Sequence, residues 1–536
     1  MNMFIMCSVK LGLCTCILNN LLLCIILQSS HTSEGVWPLP QTFSTSMVRY
    51  ELKPQSFHFG YRGQSAAQRD CSVLDAAFER YFALIFSNNT AGNDKFSVDE
   101  PFTLEINVDH HDCESYPKED SSERYNLSVS TGRAFLNAET VWGALRGLET
   151  FSQLVYQDNV GSYFVNKTDI EDFPQFRHRG ILLDTSRHYL PVQAILKTLD
   201  AMAYSKFNVF HWHIVDDPSF PYQSQTFPDL SGKGAFHPVT HIYRQSDVRR
   251  VISYARMRGV RVLPEFDSPG HTQSWGKGQP GLLTPCYRRG VPSGTFGPVN
   301  PALPSTYQFM ASLFKEVASV FPDSYVHLGG DEVDLSCWKS NPSILTFMKK
   351  MGFGVDFPKL ETFYMEKIVN ITSALNKTSV VWQEVFDNNE RHTSQSVVEV
   401  WKQGCYLCEV RRVTKAGLRV ILASPWYLDL PGPTHNWARY YTVWPLAFKG
   451  TEEQKKLVIG GEVCLWGEFV DATNLAPRLW PRASAAAERL WSDEKQTSSV
   501  KQAFPRLQDF RCRLLRRGIQ AEPLDVGHCR HEYQGV

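Results

Sequence analysis

The chain has 536 residues, 43% of them hydrophobic, which is enough for one large domain and a smaller one, each with its own core. Lysine plus arginine and aspartate plus glutamate balance at 55 each. This balance argues against binding to nucleic acid or to an anionic membrane surface, because both depend on clustered positive charge.

The first predicted element is a targeting segment. Lys10 precedes the apolar stretch Leu11–Leu27, and small and polar residues follow that stretch. This order is typical of a signal peptide, and we predict that residues 1–30 are removed. The alternative is a membrane anchor, which Asn19 and Asn20 disfavour because they interrupt the apolar run. No later run of about 18 apolar residues occurs, so we predict no stable membrane insertion of the mature chain.

Cysteines and sequons are consistent with a secreted chain. Nine of the 13 cysteines lie outside the predicted signal peptide, and an odd number leaves at least one thiol without a partner in the chain. Cys405 and Cys408 are spaced CxxC, but without a second pair or a thioredoxin-like context we interpret them as structural or incidental. Five N-x-S/T sequons predict glycosylation at Asn88, Asn126, Asn166, Asn370 and Asn376.

Residues 36–172 predict a small α+β domain. The segments FTLEINV and YNLSVS alternate apolar and polar residues, which is typical of half-buried strands. In VWGALRGLETFSQLVY the apolar residues recur at helical spacing, which predicts one buried helix face. The following DFPQFRHRG is a junction, because Pro174 breaks any regular element.

From residue 173 to residue 536 the pattern predicts a (β/α)8 TIM barrel. Short apolar runs that end in polar or aromatic residues alternate with longer helix-like stretches. A doubly wound α/β sheet could also use such repeated units. The eight candidate strands are Gly180–Asp184, Val209–Val215, Val260–Phe266, Tyr325–Gly329, Val380–Val385, Val397–Trp401, Val420–Ala423 and Val458–Trp466.

Polar and aromatic residues lie at the carboxyl ends of nearly all these candidate strands. Active sites of TIM barrels lie on that face, so the distribution favours a barrel over the doubly wound sheet. In chain order the residues are Asp184 and Arg187; His213, Asp216 and Asp217; Glu265, Asp267 and His271; Asp331 and Glu332; Trp382, Glu384 and Trp401; and Trp426, Tyr427, Asp429, Trp466 and Glu468.

The segment HLGGDEV contains the most informative of these residues, the adjacent carboxylates Asp331 and Glu332. Glycosidic cleavage requires a proton donor for the leaving oxygen and a group that stabilises positive charge at the anomeric carbon. Adjacent side chains point in different directions, so this pair is poorly suited to act as opposed nucleophile and acid. The pair fits a mechanism in which the substrate supplies the nucleophile. The alternative is an acidic residue pair that begins a helix.

Several long motifs resemble family 20 glycoside hydrolases, and within them the animal lysosomal β-hexosaminidase subunits. The resemblance covers the whole mature chain, including the smaller domain. The motifs are LDTSRHYLP (183–191), HWHIVDDPSFP (211–221), EFDSPGH (265–271), HLGGDEV (327–333), VWQEVFD (381–387) and CLWGEFVDATN (464–474).

The resemblance implies a retaining exo-glycosidase that removes terminal N-acetylglucosamine and N-acetylgalactosamine from glycoconjugates. The 2-acetamido oxygen of the substrate would attack the anomeric carbon, as an exception to the scheme with two carboxylates. Glu332 would be the acid and then the base. Asp331 would hold the acetamide N–H, and Tyr427 would donate a hydrogen bond to the acetamide oxygen.

The resemblance also assigns the sugar contacts. Arg187 would bind the 3- and 4-hydroxyls, and Glu468 the outer hydroxyls from the other side. Asp216 and His271 would lie behind Glu332 and tune its protonation. The acetamide methyl and the ring face would be enclosed by Trp382, Trp401 and Trp466, while Glu265, Asp267 and Glu384 are expected to be supporting or structural.

Further expectations come from the same resemblance. It implies no cofactor and no metal, a homodimer or a heterodimer with a related subunit, and delivery to the lysosome with a secreted fraction. Cys464 would be buried and free, with Cys405 and Cys408 unassigned. The implied disulfides are Cys71–Cys113, Cys286–Cys337 and Cys512–Cys529.

The animal subunits are of two types, which differ after a shared Trp-Tyr-Leu. The type that accepts 6-sulfated sugars has Asn-Arg there, whereas this chain has Asp429-Leu430 and resembles the other type. An aspartate can accept from a neutral 6-hydroxyl and repels a sulfate, so we predict a preference for neutral sugars. The loop Arg289–Pro298 instead resembles the sulfate-accepting type, in which it engages a lipid-presenting activator protein. The alternative interpretation of this loop is a permissive surface turn.

Two other functions would use a similar barrel and pocket. A non-catalytic carbohydrate-binding protein on the same barrel would keep the aromatic pocket but lose the acid, and this chain keeps Glu332. A chitinase-like endo-enzyme also uses acetamide participation, but Arg187 and Glu468 would close the pocket around a terminal sugar.

Overall fold

The computed structural model describes residues 35–68, 70–86, 101–110, 113–388, 396–429 and 437–529. The predicted signal peptide, the sequon at Asn88 and Leu430 lie outside these residues. The predicted (β/α)8 barrel, preceded by a smaller α+β domain, is confirmed. None of the helices in the described ranges is both long and apolar enough to cross a membrane.

The smaller domain is a seven-stranded mixed sheet with the strand order β1-β7-β4-β5-β3-β2, and β6 pairs with β7. The predicted alternation is visible in β3, whose apolar residues are buried in turn. The elements are β1 (Thr42–Leu52), β2 (Phe57–Tyr61), α1 (Ser72–Ile85), β3 (Phe102–Val108), β4 (Tyr125–Ser130), β5 (Arg133–Ala138), α2 (Val141–Leu154), β6 (Tyr156–Gln157) and β7 (Tyr163–Asp172).

Helix α2 is the predicted amphipathic helix, and all of its residues are buried. The Thr140 side chain caps it by accepting hydrogen bonds from the backbone N–H groups of Trp142 and Gly143. The helix is more deeply buried than its one apolar face predicts. Part of the reason is that Arg146 lies against the barrel, where it donates to the carbonyls of Arg258 and Gly259.

The barrel is closed by eight parallel strands in the order β10-β13-β14-β15-β16-β17-β8-β9. The predicted strand Val380–Val385 is shorter in the structure, because the chain turns into a helix after Trp382. The barrel strands are β8 (His178–Asp184), β9 (Val209–Val215), β10 (Arg261–Phe266), β13 (Tyr325–His327), β14 (Thr378–Trp382), β15 (Val397–Val400), β16 (Arg419–Leu422) and β17 (Val458–Leu465).

Helices surround the barrel, and one hairpin, β11 (Leu283–Arg288) and β12 (Val291–Val299), extends from it. The hairpin contains the segment that the sequence predicted as a loop. The helices are α3 (Val192–Tyr204), α4 (Asp229–Gly234), α5 (Gln245–Arg256), α6 (Gln273–Gly278), α7 (Pro304–Val320), α8 (Ser336–Ser340), α9 (Pro342–Lys350), α10 (Phe357–Ala374), α11 (Gln383–Asn388), α12 (Tyr406–Lys415), α13 (Trp437–Tyr441), α14 (Glu452–Lys456), α15 (Leu475–Leu479), α16 (Arg482–Trp491) and α17 (Val500–Arg516).

The barrel interior is built in layers, because inward-facing residues alternate along each strand. The lowest layer is apolar and joins seven buried residues: Val209, Leu263, Tyr325, Val380, Val397, Ile421 and Ile459. Two residues further along the strands the inward positions become polar, as with His211 in β9, Glu265 in β10 and His327 in β13. The pocket therefore lies above a polar layer that itself rests on an apolar one.

Four disulfides join cysteines of the described residues: Cys71–Cys113, Cys286–Cys337, Cys405–Cys408 and Cys512–Cys529. Cys464 is free and buried. The sequence left Cys405 and Cys408 without an assignment, and the structure pairs them with each other.

Candidate active site

The loop after β13 presents the two adjacent carboxylates. Gly329 and Gly330 have φ angles of +70° and +95°, a region that glycine enters without strain. A Cβ on Gly329 would lie 1.6 Å from Asp267 Oδ1, so no side chain fits there. The N–H of Gly330 donates to that same oxygen at 2.9 Å. Asp267 therefore fixes the turn that delivers Asp331 and Glu332.

The two carboxylates differ in exposure. The Glu332 side chain is 60% exposed, whereas that of Asp331 is 12% exposed. Asp331 Oδ1 is buried and has no hydrogen-bond partner among the described residues. The Nε2 atom of His271 lies 3.7 Å from one oxygen of each carboxylate. One carboxylate thus faces the open pocket and the other is held within its wall.

His271 links these carboxylates to Asp216, because its Nδ1 atom lies 3.2 Å from Asp216 Oδ1. Burial lowers the pKa of His271, but the carboxylates of Asp267, Asp216 and Asp331 raise it by more, to about 11. The ring is therefore a cation at neutral pH. Burial also raises the pKa of Asp216, and hydrogen bonds from His213 and His271 reverse this, so that Asp216 stays ionised.

Arg187 contacts the same carboxylate as His271, that of Asp216. It forms ion pairs with Asp184 at 3.0 Å and Asp216 at 2.9 Å, and its Nη2 atom lies 3.9 Å from Glu468. Burial lowers the pKa of the guanidinium, but the three carboxylates raise it by more, so Arg187 stays charged. The Glu468 side chain is 49% exposed and is free to meet a ligand.

Four aromatic rings form the pocket wall. The Trp382 and Trp466 centroids are 5.9 Å apart, Trp466 and Tyr427 are 6.4 Å apart, and Tyr427 stacks on Trp401 at 6.2 Å. Burial raises the pKa of Tyr427 well above its usual value, so its hydroxyl keeps its proton. The free Cys464 packs in the same cluster. The rings can enclose a small apolar group next to a hydroxyl donor.

Two carboxylates hold the indoles of this wall in place. Trp382 Nε1 donates to Glu265 Oε1 at 2.8 Å, and Trp401 Nε1 donates to Glu384 Oε2 at 2.8 Å. Burial raises the pKa of Glu384. The sequence placed both acids behind the pocket, and neither is positioned to contact a ligand directly.

Asp429 lies beside Glu468 at the outer part of the pocket. Burial raises the pKa of Asp429 to about 6. Its Oδ1 atom is buried and has no hydrogen-bond partner among the described residues. This oxygen therefore has a hydrogen-bonding capacity that no described residue satisfies.

The structure thus brings together the sugar-binding and catalytic residues that the sequence predicted. They surround one pocket at the carboxyl ends of the barrel strands, and they are Arg187, Asp216, His271, Asp331, Glu332, Trp382, Trp401, Tyr427, Asp429, Trp466 and Glu468.

Sequence reasoning missed the buried network below this pocket. His213 bridges Glu265 at 2.6 Å and Asp216 at 2.8 Å, and Glu265 also meets His211 at 3.0 Å and His327 at 3.1 Å. Burial raises the pKa of Glu265, but the histidines lower it by more. Glu265 therefore remains ionised at the centre of the network.

The network extends to the bottom of the polar layer. Glu462 contacts His178 and His211 at 2.5 and 2.9 Å, and Glu399 lies 3.4 Å from His327. The histidines and carboxylates of the network are close enough in places to resemble metal ligands, as in the set His211, Glu265 and His327. Their facing atoms already form ion pairs with one another.

The alternating polar residues of VFHWHIV and VVEVW are the sequence signal that could have revealed the network.

We expect Glu265→Gln to destabilise the folded protein by about 3–5 kcal/mol, because it leaves several buried imidazolium groups without their shared counter-ion. The check is the melting temperature, measured beside Lys233→Ala. Lys233 and Asp229 form an ion pair with exposed side chains, 54% and 62%. Removing this exposed pair should cost less than about 1 kcal/mol. Equal melting temperatures for the two variants would contradict a structural role for Glu265.

Similarity to known proteins agrees with this geometry. The model of the glycosyl hydrolase family 20 catalytic domain matches residues 176–494, and the model described as beta-acetyl hexosaminidase like matches residues 36–154. The chain is 57% identical over 509 residues to beta-hexosaminidase subunit alpha of Bos taurus, covering 94% of this chain and 96% of that protein. It is 53% identical to beta-hexosaminidase subunit beta of Homo sapiens, covering 94% and 91%.

Solved structures give the same result for the fold. The chitobiase of Flavobacterium johnsoniae superposes with a TM-score of 0.78 at 28% identity, covering 91% of this chain and 74% of that one. The N-acetyl-beta-hexosaminidase of Streptomyces plicatus superposes with a TM-score of 0.71 at 22% identity, covering 92% and 97%. At the second of these identities the likeness concerns the fold alone.

Proposed function

The chain belongs to glycosyl hydrolase family 20, and from its pocket we propose how it removes terminal N-acetylglucosamine and N-acetylgalactosamine from glycoconjugates. It is a retaining exo-β-N-acetylhexosaminidase. The observation that carries the mechanism is the pair Asp331 and Glu332, because one carboxylate is buried and the other faces the open pocket. Glu332 is assigned as the acid and Asp331 as the acetamide holder, so neither carboxylate is the nucleophile. We propose that the acetamide oxygen of the substrate takes that role.

Glu332 acts as the acid and then the base. Its proton passes to the glycosidic oxygen while the C–O bond breaks and the acetamide oxygen bonds to the anomeric carbon. The product of this step is an oxazolinium ion. Glu332, now ionised, removes a proton from the water that opens the ring. Two inversions at the anomeric carbon give net retention.

Asp331 and Tyr427 orient the acetamide. The unpartnered Oδ1 atom of Asp331 accepts the acetamide N–H and balances the positive charge of the oxazolinium ion. The Tyr427 hydroxyl, which stays protonated, donates to the acetamide oxygen. The acetamide methyl packs among Trp382, Trp401 and Trp466, which excludes water from the reacting group.

Arg187 and Glu468 close the pocket around a terminal sugar. The planar guanidinium suits two adjacent hydroxyls, and the carboxylate accepts from the outer ones. Because these residues block the non-reducing side, an internal sugar of a chain cannot enter. His271 and Asp216 act through Glu332, since the His271 ring lies between the two carboxylates.

The function is tested with aryl glycosides that differ only at carbon 2. The N-acetylglucosaminide is hydrolysed, and the first sugar released, followed by NMR, has the β configuration. The matching glucoside lacks the internal nucleophile and is not hydrolysed at a measurable rate. Equal turnover of the two glycosides, or an α product, would overturn the acetamide mechanism.

Asp429 supports a preference for neutral sugars. Its carboxylate can accept a hydrogen bond from a 6-hydroxyl, whereas the negative charge of the ionised carboxylate would repel a 6-sulfate. The overall identity does not separate the two subunit types, with 57% to an alpha subunit and 53% to a beta subunit. The prediction therefore rests on this residue. Comparable efficiency on neutral and 6-sulfated glycosides would contradict it.

The discrimination against sulfate should depend on pH. Burial raises the pKa of Asp429 to about 6, so the carboxyl is neutral below that pH and charged above it. We expect the ratio of kcat/KM for neutral over 6-sulfated glycoside to rise about tenfold across this range, because one like-charge contact contributes on the order of 1–2 kcal/mol. The ratio cancels the pH dependence that both substrates share. In Asp429→Asn the ratio should not change with pH.

The hairpin of β11 and β12 supports docking of a lipid-presenting activator protein. Val291 and Phe296 are 61% and 52% exposed on it, so the hairpin offers an apolar surface. We expect ganglioside hydrolysis by the purified dimer to increase when such a protein is added. Hydrolysis that is independent of the added protein would favour the simpler interpretation, a permissive surface turn.

The remaining proposals concern location and assembly. We propose signal residues 1–30, a smaller domain at 36–172 and a catalytic domain at 173–536. The relatives are named as subunits, which supports a homodimer or heterodimer, and we propose lysosomal delivery with a secreted fraction. Asn126, Asn370 and Asn376 are exposed and remain glycosylation candidates. Asn166 also remains a candidate; its residue is 5% exposed and its side-chain oxygen accepts a hydrogen bond from Tyr156.

A further inference from the structure

The Cys405–Cys408 disulfide differs from the other disulfides of the described residues in its access to solvent. Both of its cysteines are exposed. Each of the other three pairs includes at least one buried residue, as with Cys71 at 3% and Cys337 at 7%. Disulfide exchange requires a thiolate to approach the sulfur–sulfur bond, so access is the first determinant of reactivity.

The pair also closes the shortest ring, with a sequence separation of 3, against 51 for Cys286–Cys337. A disulfide that closes a short loop restrains the unfolded chain less than one that closes a long loop. Opening the Cys405–Cys408 ring therefore costs the folded protein little, while opening the longer rings costs it more.

The helix that follows favours the reduced form. Cys405 is the N-cap of α12, a helix of 10 residues, and Cys408 lies in its first turn. Cysteine pKa values fall at helix N-termini, because the N–H groups and the helix dipole stabilise a thiolate. The acidic Glu409 in the same turn opposes this effect, but its carboxylate is paired with Arg412 at 2.6 Å.

The segment between β15 and α12 connects this disulfide to the active-site wall. Trp401 precedes Cys405 by four residues, and its indole is held by Glu384. Lys402 pairs with Asp387 at 2.9 Å, and Arg412 of α12 pairs with the same carboxylate. These ion pairs lie on both sides of the disulfide and do not involve its sulfurs, so they can still hold the segment when the sulfur–sulfur bond opens.

We propose that Cys405–Cys408, in the segment between β15 and α12, is a site of reversible thiol–disulfide exchange with low-molecular-weight thiols. A thiolate attacks one of the two sulfurs, a mixed disulfide forms, and the other cysteine leaves as a thiolate. A second thiolate attacks the sulfur of the bound small thiol. The products are two protein thiols, after protonation, and one small disulfide, so two electrons pass from two thiols to the protein.

The test is a redox titration of the purified full-length protein in glutathione buffers at neutral pH. Free thiols are blocked with N-ethylmaleimide, the protein is unfolded and reduced, and the remaining cysteines receive a second label for peptide mass spectrometry. We expect the equilibrium constant for reduction of Cys405–Cys408 to exceed that of Cys286–Cys337 by at least about tenfold, which is about 30 mV. Reduction of both pairs together, or of Cys286–Cys337 first, would overturn the proposal.

The rate of exchange supplies a second test. It should fall about tenfold for each pH unit below the pKa of the attacking thiol, because the thiolate is the nucleophile. The double variant Cys405→Ser, Cys408→Ser should consume no thiol in buffers that leave the other three disulfides oxidised, and it should hydrolyse neutral N-acetylglucosaminides at the unchanged rate. The single variant Cys408→Ser should instead bind one glutathione at Cys405. Failure of Cys405 to form this adduct would count against the site, whatever the glycosidase activity.

Discussion

Replacing Glu332 by glutamine is expected to lower kcat by about 10²–10⁴-fold for N-acetylhexosaminides whose leaving group is another sugar. The amide keeps the size of the side chain but has no proton of sufficient acidity to donate to the glycosidic oxygen. The measurement is steady-state hydrolysis of a disaccharide and of aryl glycosides with leaving groups of graded acidity.

The loss in Glu332→Gln should shrink when the leaving group is a good one, because a stable phenolate departs without a proton. Binding should survive, and we expect the free sugar to bind the variant with nearly unchanged affinity in calorimetry. The matched control is Asp334→Asn, an exposed carboxylate of the same loop that accepts from Ser336. Activity in Glu332→Gln equal to that of the control would exclude Glu332 as the acid.

Much of the fold could be predicted from the sequence, because a barrel repeats one signal eight times. Each buried strand is a short apolar run in the sequence. Polar or aromatic residues follow the run, at the carboxyl-terminal face of the barrel. Residues such as Arg187 and Glu468, which are far apart in the sequence, could be assigned to one pocket for that reason. Their ion-pair distances could not be predicted, since these depend on where the strand ends lie in three dimensions.

The polar layer below the pocket was harder to predict. In β9 the residues His211 and His213 alternate with apolar ones, which is the period-two pattern of a strand with one polar face. A strand buried on both faces is expected to be continuously apolar. Carboxylates from other strands, such as Glu265 and Glu462, pair with these histidines and offset the cost of burying charged groups. A single strand contains no information about that pairing.

The ends of elements were also less predictable than the elements themselves. The strand that begins at Thr378 ends at Trp382, where the backbone turns into α11. The predicted strand continued through Gln383, Glu384 and Val385, but in the structure these residues begin the helix, in which Gln383 and Phe386 are buried.

Replacing Asp331 by asparagine is expected to lower kcat on the order of 10²–10³-fold, with a much smaller change in KM. Asparagine can still accept the acetamide N–H, so the substrate remains bound and oriented. The variant lacks the negative charge that would stabilise the oxazolinium ion. This charge acts mainly in the transition state, because the acetamide of the ground state is neutral.

The leaving group distinguishes Asp331 from Glu332. Attack by the acetamide oxygen accompanies departure of every leaving group, so Asp331→Asn should lower the rate for good and poor leaving groups alike. Glu332→Gln should lower it chiefly for poor ones. The comparison uses the same graded aryl glycosides, and a matching leaving-group dependence in the two variants would contradict the separate roles. The buried carboxylate, with one oxygen unpartnered among the described residues, is the one suited to hold the acetamide. The exposed one faces the open pocket, which is what we propose for the acid and base.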